Sequence, residues 1–284
     1  MAYPKPPAPF LEVKIHKLDI TPPISSLCAG YECGEWRSSQ LAEHTMEWLP
    51  EFCLTASELK SLKPGNAFSM IKKAARMVYQ TEKYKSRGEF GELFLHMILR
   101  QIYKSIPAIS KIYFKDSVNH TVKGYDAVHI VQIDGKLELW LGEVKFYNNA
   151  AKAIKDVIVE IQAHTKQDYL RNEKILLANK IDPDSSFYPT LSRLLDQNTS
   201  LDELFDCACI PILITYDSGT LKKHNKTTDD FNKELEEEVL AIRQKIEEKT
   251  SNLNLPVKIH LFLLPLQEKS VLIQKLDEQL RRLQ

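Results

Sequence analysis

Three ionisable residues near the middle of the chain stand at spacings that suit phosphodiester hydrolysis. Asp134-Gly135 separates two apolar runs, residues 125–133 and 136–147, and this dipeptide is a strong signal for a two-residue hairpin turn. If Ile133 pairs with Lys136, the register sets Asp126 directly opposite Glu143, with Cβ atoms ~4.5–5.5 Å apart. Lys145 then shares the face of Glu143, and that face continues through Leu141, Leu139 and Leu137, opposite Val128, Ile130 and Gln132. Two carboxylates on such an inward-looking surface repel each other and are costly to desolvate unless positive charge lies between them. A divalent cation fills that role, and oxygen ligands favour Mg2+ or Mn2+, which complete their shell with water and substrate phosphate. Lys145 is placed to orient or help deprotonate an attacking water and to stabilise charge on the phosphate. A third acid would complete the site. Glu89 and Glu92 stand at i and i+3 in the first turn of a predicted helix; Glu92, directly before the apolar run, is the first choice and Glu89 the reserve.

An acid-x-lysine tripeptide alone carries little information, because the chain has five of them: Glu12/Lys14, Glu58/Lys60, Asp134/Lys136, Glu143/Lys145 and Glu247/Lys249. Only Glu143/Lys145 ends an apolar strand with an aspartate expected opposite. The competing reading is a cross-strand ion cluster at a sheet edge. Charge argues against it, since two acids and one base leave an excess anion on an inward face. Other candidates read more simply. Gln162 and Gln167 fit a solvated helix face, with Gln162 kept as a DNA contact. His129 points away from Asp126 and reads as a packed histidine, His96 has no partner at metal-ligand spacing, and Cys207 and Cys209 have no second pair for a zinc site. Glu234 to Glu238 read as a solvated helix face, or as a surface for a partner.

The elements that must position these residues are legible from periodicity. Phe68, Ile71, Ala74, Ala75 and Val78 follow helical spacing, and a second helix is expected from about Glu89 to Tyr103. A helix of roughly 150–170 follows the hairpin, then a strand at 208–216, a charged helix at 229–249, a strand at 256–264 and a terminal helix at 268–283. Residues 181–200 are an ill-defined helix or excursion. The predicted fold class is mixed α/β (α+β), with residues 66–284 as the main domain. Residues 1–65 hold eight of the fourteen prolines and only short candidate elements, so they read as a small irregular amino-terminal module, a docking surface or a structural cap.

With 38 Lys and Arg against 38 Asp and Glu in 284 residues, the formal charge is zero, which excludes a polybasic nucleic-acid coat. The cancellation is uneven. Between Lys60 and Tyr125 stand thirteen Lys and Arg and four acids, a local net charge of +9 that leaves −9 elsewhere. A basic run leading into the proposed site is placed to track a phosphate backbone, with Lys83, Lys85, Arg87 and Lys123 as its nearest members. The apolar stretches are far shorter than the ~20 residues a membrane helix needs, prolines interrupt the amino terminus where a signal peptide would be apolar, and an odd count of five cysteines suggests reduced thiols. A cytoplasmic location is expected.

The motifs G-E-F-G-E-L-F-L (88–95), K-G-Y-D-A-V-H (123–129) and L-G-E-V-K-F-Y (141–147) together resemble the PD-(D/E)xK nuclease superfamily and, more narrowly, the HamA family of Hachiman antiphage defence systems. Tyr125 stands where the superfamily name has proline. The resemblance implies a restriction-endonuclease-like sheet flanked by helices, an Mg2+- or Mn2+-dependent DNA nuclease, an amino-terminal extension and a HamB-like helicase partner. A non-catalytic DNA-sensing or regulatory module on the same fold is the alternative.

Overall fold

The computed structural model describes residues 5–79, 88–109, 124–181, 183, 185 and 187–284. The chain opens with β1 (Glu12–Lys17), β2 (Ile24–Cys28) and a small separate pair, β3 (Tyr31–Glu32) with β4 (Glu35–Trp36). Four helices, α1 (Ser38–Glu47), α2 (Leu49–Cys53), α3 (Ala56–Ser61) and α4 (Ala67–Tyr79), precede α5 (Gly88–Tyr103). Next come β5 (Ile106–Ile109) and the hairpin strands β6 (Ala127–Ile133) and β7 (Lys136–Phe146). Helices α6 (Ala150–His164), α7 (Gln167–Ala178), α8 (Tyr188–Leu194) and α9 (Leu201–Cys207) lead to β8 (Ala208–Asp217). The chain closes with α10 (Gly219–Lys223), α11 (Asp229–Thr250), β9 (Lys258–Leu266) and α12 (Lys269–Arg282). Among the described residues no helix is long and apolar enough to cross a membrane.

Seven strands form one mixed sheet in the order β1-β2-β9-β8-β7-β6-β5, flanked by helices. Parallel pairing joins β2, β9, β8 and β7, while β1 at one edge and β6 and β5 at the other run antiparallel to their neighbours. The hairpin register runs from Ile133 opposite Lys136 to Ala127 opposite Gly142, the register expected from the two-residue turn. Asp134 and Gly135 both take positive φ, 50° and 78°, which matches the turn to the twist of its strands.

The sheet crosses the boundary expected near residue 65. β1 and β2, from the segment read as a separate module, are strands of the main sheet, and Leu27 and Leu41 share one core cluster with Leu213 and Leu276. β2 (ISSLC) is wholly buried, so it lacks the alternation that marks a half-exposed strand; the Ser25 hydroxyl is hydrogen-bonded to His16 Nδ1 at 2.9 Å and His260 Nε2 at 3.0 Å. The helix expected at 150–170 is two helices. Lys166 is extended (φ −69°, ψ 138°), and the Thr165 hydroxyl donates to the Ile161 carbonyl at 2.7 Å, so α6 ends at His164.

Alternation along β7 gives its two faces different partners. Gly142, Val144 and Phe146 face α5, and Glu143 and Lys145 face α6. α5 approaches closely because Gly91 has no Cβ: one built there would lie 2.7 Å from both Phe146 Cβ and Val144 Cγ1. An exposed helical Gly→Ala change normally stabilises by about 1 kcal/mol. Gly91→Ala is expected to do the opposite and lower stability by about 1–3 kcal/mol in urea unfolding, through overpacking against β7.

Candidate active site

β7 is hydrogen-bonded on both sides, antiparallel to β6 and parallel to β8, where Glu143 pairs with Ile212 and Lys145 with Ile214. The two side chains are therefore fixed on an interior strand, and both are buried, at 5% and 6% exposure. The apolar row expected on this face is present: Leu139 and Leu141 pack with Val128, Ile130 and Tyr125 in one cluster, together with Leu170 from α7.

Asp126 lies one residue before β6, at the point where the ladder ends. Its N–H donates to the Gly142 carbonyl at 2.8 Å, and its Oδ2 accepts the Val144 N–H at 2.9 Å. A backbone donor of β7 thus anchors the Asp126 carboxylate beside Glu143. Tyr125 is buried, and its hydroxyl donates to the His164 carbonyl at 3.2 Å, closing the end of α6.

α6 supplies two groups that the sequence reading passed over. Asn149 caps the helix, accepting from Lys152 N–H at 2.9 Å, and Ala153, Ile154, Val157 and Ile161 form its buried stripe. That stripe carries Glu160 and His164, one turn apart, to the Glu143 side of β7. The Lys145 ammonium donates to Glu143 Oε1 at 2.9 Å and to Glu160 Oε2, and His164 Nδ1 lies 3.3 Å from Glu143 Oε2. His164 also stacks on Tyr169, with ring centroids 4.5 Å apart. An acid and a histidine four apart, beside the apolar stripe of the helix after E-V-K, was the signal available in the sequence. Gln162 and Gln167 are exposed.

The electrostatics follow from burial and crowding. Burial, then the charge of Asp126, pushes the Glu143 carboxyl up to about 10, and a hydrogen bond with Glu160 acts in the same direction. Burial alone would lower Lys145, but Glu143 and Glu160 hold its ammonium at about 12. Glu160 stays below the usual carboxylate range: burial opposes its ionisation, and its hydrogen bonds with Glu143 and Lys145 prevail. Burial lowers His164. Without a cation, Glu143 therefore holds a proton at neutral pH.

This donor set suits a hard divalent cation, which would replace that proton and relieve the repulsion between Asp126 and Glu143. Among the described residues no three His, Cys, Asp or Glu side chains form a ready metal cage. A cation held by the acid pair would draw the rest of its shell from water and phosphate. Glu89 and Glu92 are half-buried on α5, the helix that covers the opposite face of β7 through Gly91. Lys83, Lys85, Arg87 and Lys123 lie outside the described residues.

A family model described as HamA matches residues 8–280 of the chain. The chain belongs to the HamA family. Membership relates it to Hachiman antiviral defence. A comparison with curated proteins found no match. The HamA match begins before β1 and ends within α12, so it takes in the amino-terminal strands as well as the hairpin and α6.

Other charged residues are occupied by the fold. His129 is buried, near Ser105 Oγ (2.8 Å) and His96 Nδ1 (3.3 Å), and burial keeps it neutral, in line with its expected packing role. Arg100 donates to Glu51 at 2.5 Å, which removes one cation from the basic run. Glu234 pairs with Lys223 and His224, Glu236 with Lys17, and Glu238 accepts from the N–H and hydroxyl of Thr220, so the acidic run of α11 binds its own neighbours.

A carboxyl with a raised pKa binds a proton in the fold that the unfolded chain releases, so its contribution is present below pH 4.5 and is lost as pH rises toward 10. In urea unfolding with EDTA, Glu143→Gln is expected to be more stable than wild type at pH 8 and to lose most of that margin at pH 5. Equal margins at both pH values would contradict the assigned charge state.

Proposed function

We propose that this HamA-family protein is a metal-dependent deoxyribonuclease that hydrolyses phosphodiester bonds as an effector of antiviral defence, working with a helicase. The observation that carries this reading is the constellation of half-buried Asp126 with buried Glu143 and Lys145, whose crowded carboxylates call for a cation and whose ammonium stands beside them. Asp126 and Glu143 would hold Mg2+ or Mn2+, with Glu92 or Glu89 as the assisting acid from α5. Bound there, the cation supplies Lewis acidity toward the scissile phosphate and lowers the pKa of a coordinated water.

The chain's own groups set the geometry. Val144 N–H fixes one oxygen of Asp126, and His164 contacts the Glu143 oxygen that Lys145 does not use. Lys145 orients the attacking water and offers its charge to the pentacoordinate phosphate. The basic run from Lys60, including Lys83, Lys85, Arg87 and Lys123, together with Gln162 on α6, contacts the DNA backbone. In support, Lys60, Lys63, Lys73 and Arg76 are exposed around α3 and α4. The absence of a ready three-donor cage among the described residues favours a second reading, a DNA-sensing module that binds without cutting.

Plasmid incubated with Mg2+ and the protein, alone and with its helicase partner, separates the two. Glu143→Ala and Lys145→Ala are each expected to lower cleavage by at least about 100-fold while retaining the circular dichroism of the wild type. Cleavage at the wild-type rate by both variants would overturn the site, and binding without cleavage under every condition would favour the sensing module.

A further inference from the structure

The Lys145 ammonium is almost enclosed, with its side chain 7% exposed, and it donates to oxygens of two acidic side chains. One is Glu143, two residues away on the same strand. The other is Glu160, which comes from α6 and is 39% exposed. A buried ammonium that loses a partner pays a desolvation penalty it cannot recover in place. We propose that Glu160 is the positioning residue that keeps Lys145 in the site once a divalent cation occupies Glu143, an inference that rests on the metal-dependent reading above.

The argument is electrostatic. A cation on Glu143 would sit against the same carboxylate that Lys145 uses, and two positive groups sharing one carboxylate repel each other. Glu143 alone would then hold Lys145 weakly, and the flexible four-carbon stem would let the ammonium swing away. Glu160 approaches from a different element, so its charge stays available when that of Glu143 is shared. The buried stripe of α6 and its Asn149 cap keep that helix, and with it the Glu160 backbone, in register with the sheet. Glu160 is assigned to the lysine rather than to the cation because its contacts are with Lys145 and Glu143, and among the described residues it completes no three-donor cage.

The test uses the full-length protein labelled with 15N-lysine, in which a buried, hydrogen-bonded ammonium gives a slowly exchanging signal; the Lys145 signal is assigned by its loss in Lys145→Arg. Wild type is expected to keep that signal with and without Mg2+. Glu160→Ala should keep it without Mg2+ and lose it when Mg2+ is added, whereas Glu160→Gln, whose amide oxygen still accepts, should retain it. Mn2+ affinity measured by calorimetry should stay within about twofold of wild type in both Glu160 variants, and fall at least about tenfold in Glu143→Ala. A protected Lys145 signal in Glu160→Ala with Mg2+, no protected signal in wild type with Mg2+, or a tenfold loss of Mn2+ affinity in Glu160→Ala would each overturn the proposal. Unchanged Mn2+ affinity in Glu143→Ala would instead overturn the metal site itself, whatever the Glu160 variants show.

Discussion

The site depends on one electrostatic constraint: Glu143 and Lys145 project from an interior strand into a space nearly closed to water. β7 is bonded to β6 and β8, so neither residue can move outward without breaking the ladder. Their charges must be balanced locally by what the neighbouring elements bring. The hairpin brings Asp126, anchored by a backbone N–H of β7, and α6 brings Glu160 and His164. The resulting set has more acid than base, and in the absence of a cation it reaches balance by leaving a proton on Glu143. A protein folded for stability alone would gain by replacing these groups with apolar ones of similar size. Their presence together at the end of an apolar row is the ground for the catalytic role proposed for them.

The surrounding elements serve that arrangement from both faces of the sheet. On one side, Gly91 lets α5 settle onto Val144 and Phe146, the residues alternating with the charged pair. On the other, the break at Thr165–Lys166 ends α6 where His164 can reach Glu143, and Tyr125 binds the last carbonyl of that helix. Tyr125, one residue before Asp126, thus ties the start of β6 to the end of α6. The zero net charge of the chain also acquires a meaning. Part of the charge is used within the fold, as in Arg100 with Glu51 and in the acids of α11, so a nominal count of cations overstates the charge presented at the surface.

Much of this was legible in the sequence where a local rule governs structure. Asp134-Gly135 fixed the hairpin register, and with it the shared face of Leu139, Leu141, Glu143 and Lys145. The helical spacing of Phe90, Leu93, Phe94, Met97 and Ile98 located α5. What escaped depended on distant partners. β2 gives no alternating pattern because both of its faces are buried, and its Ser25 is satisfied by histidines at positions 16 and 260. β5, with Pro107 in a four-residue edge strand, is too short to signal itself. Glu160 and His164 look like ordinary polar residues on an amphipathic helix until the sheet is placed beneath them. Asp126 was expected directly opposite Glu143 in the ladder, but the regular pairing ends at Ala127, and it is the Val144 N–H that holds the Asp126 carboxylate beside Glu143.

The central claim is that the proton on Glu143 stands in for a divalent cation. Calorimetric titration of Mn2+ into the protein at pH 7, repeated in two buffers of different ionisation enthalpy, measures both binding and the protons released with it. The account predicts saturable binding with release of about one proton per ion in wild type, and loss of that release in Glu143→Gln. Binding without proton release, or release that persists in Glu143→Gln, would contradict it.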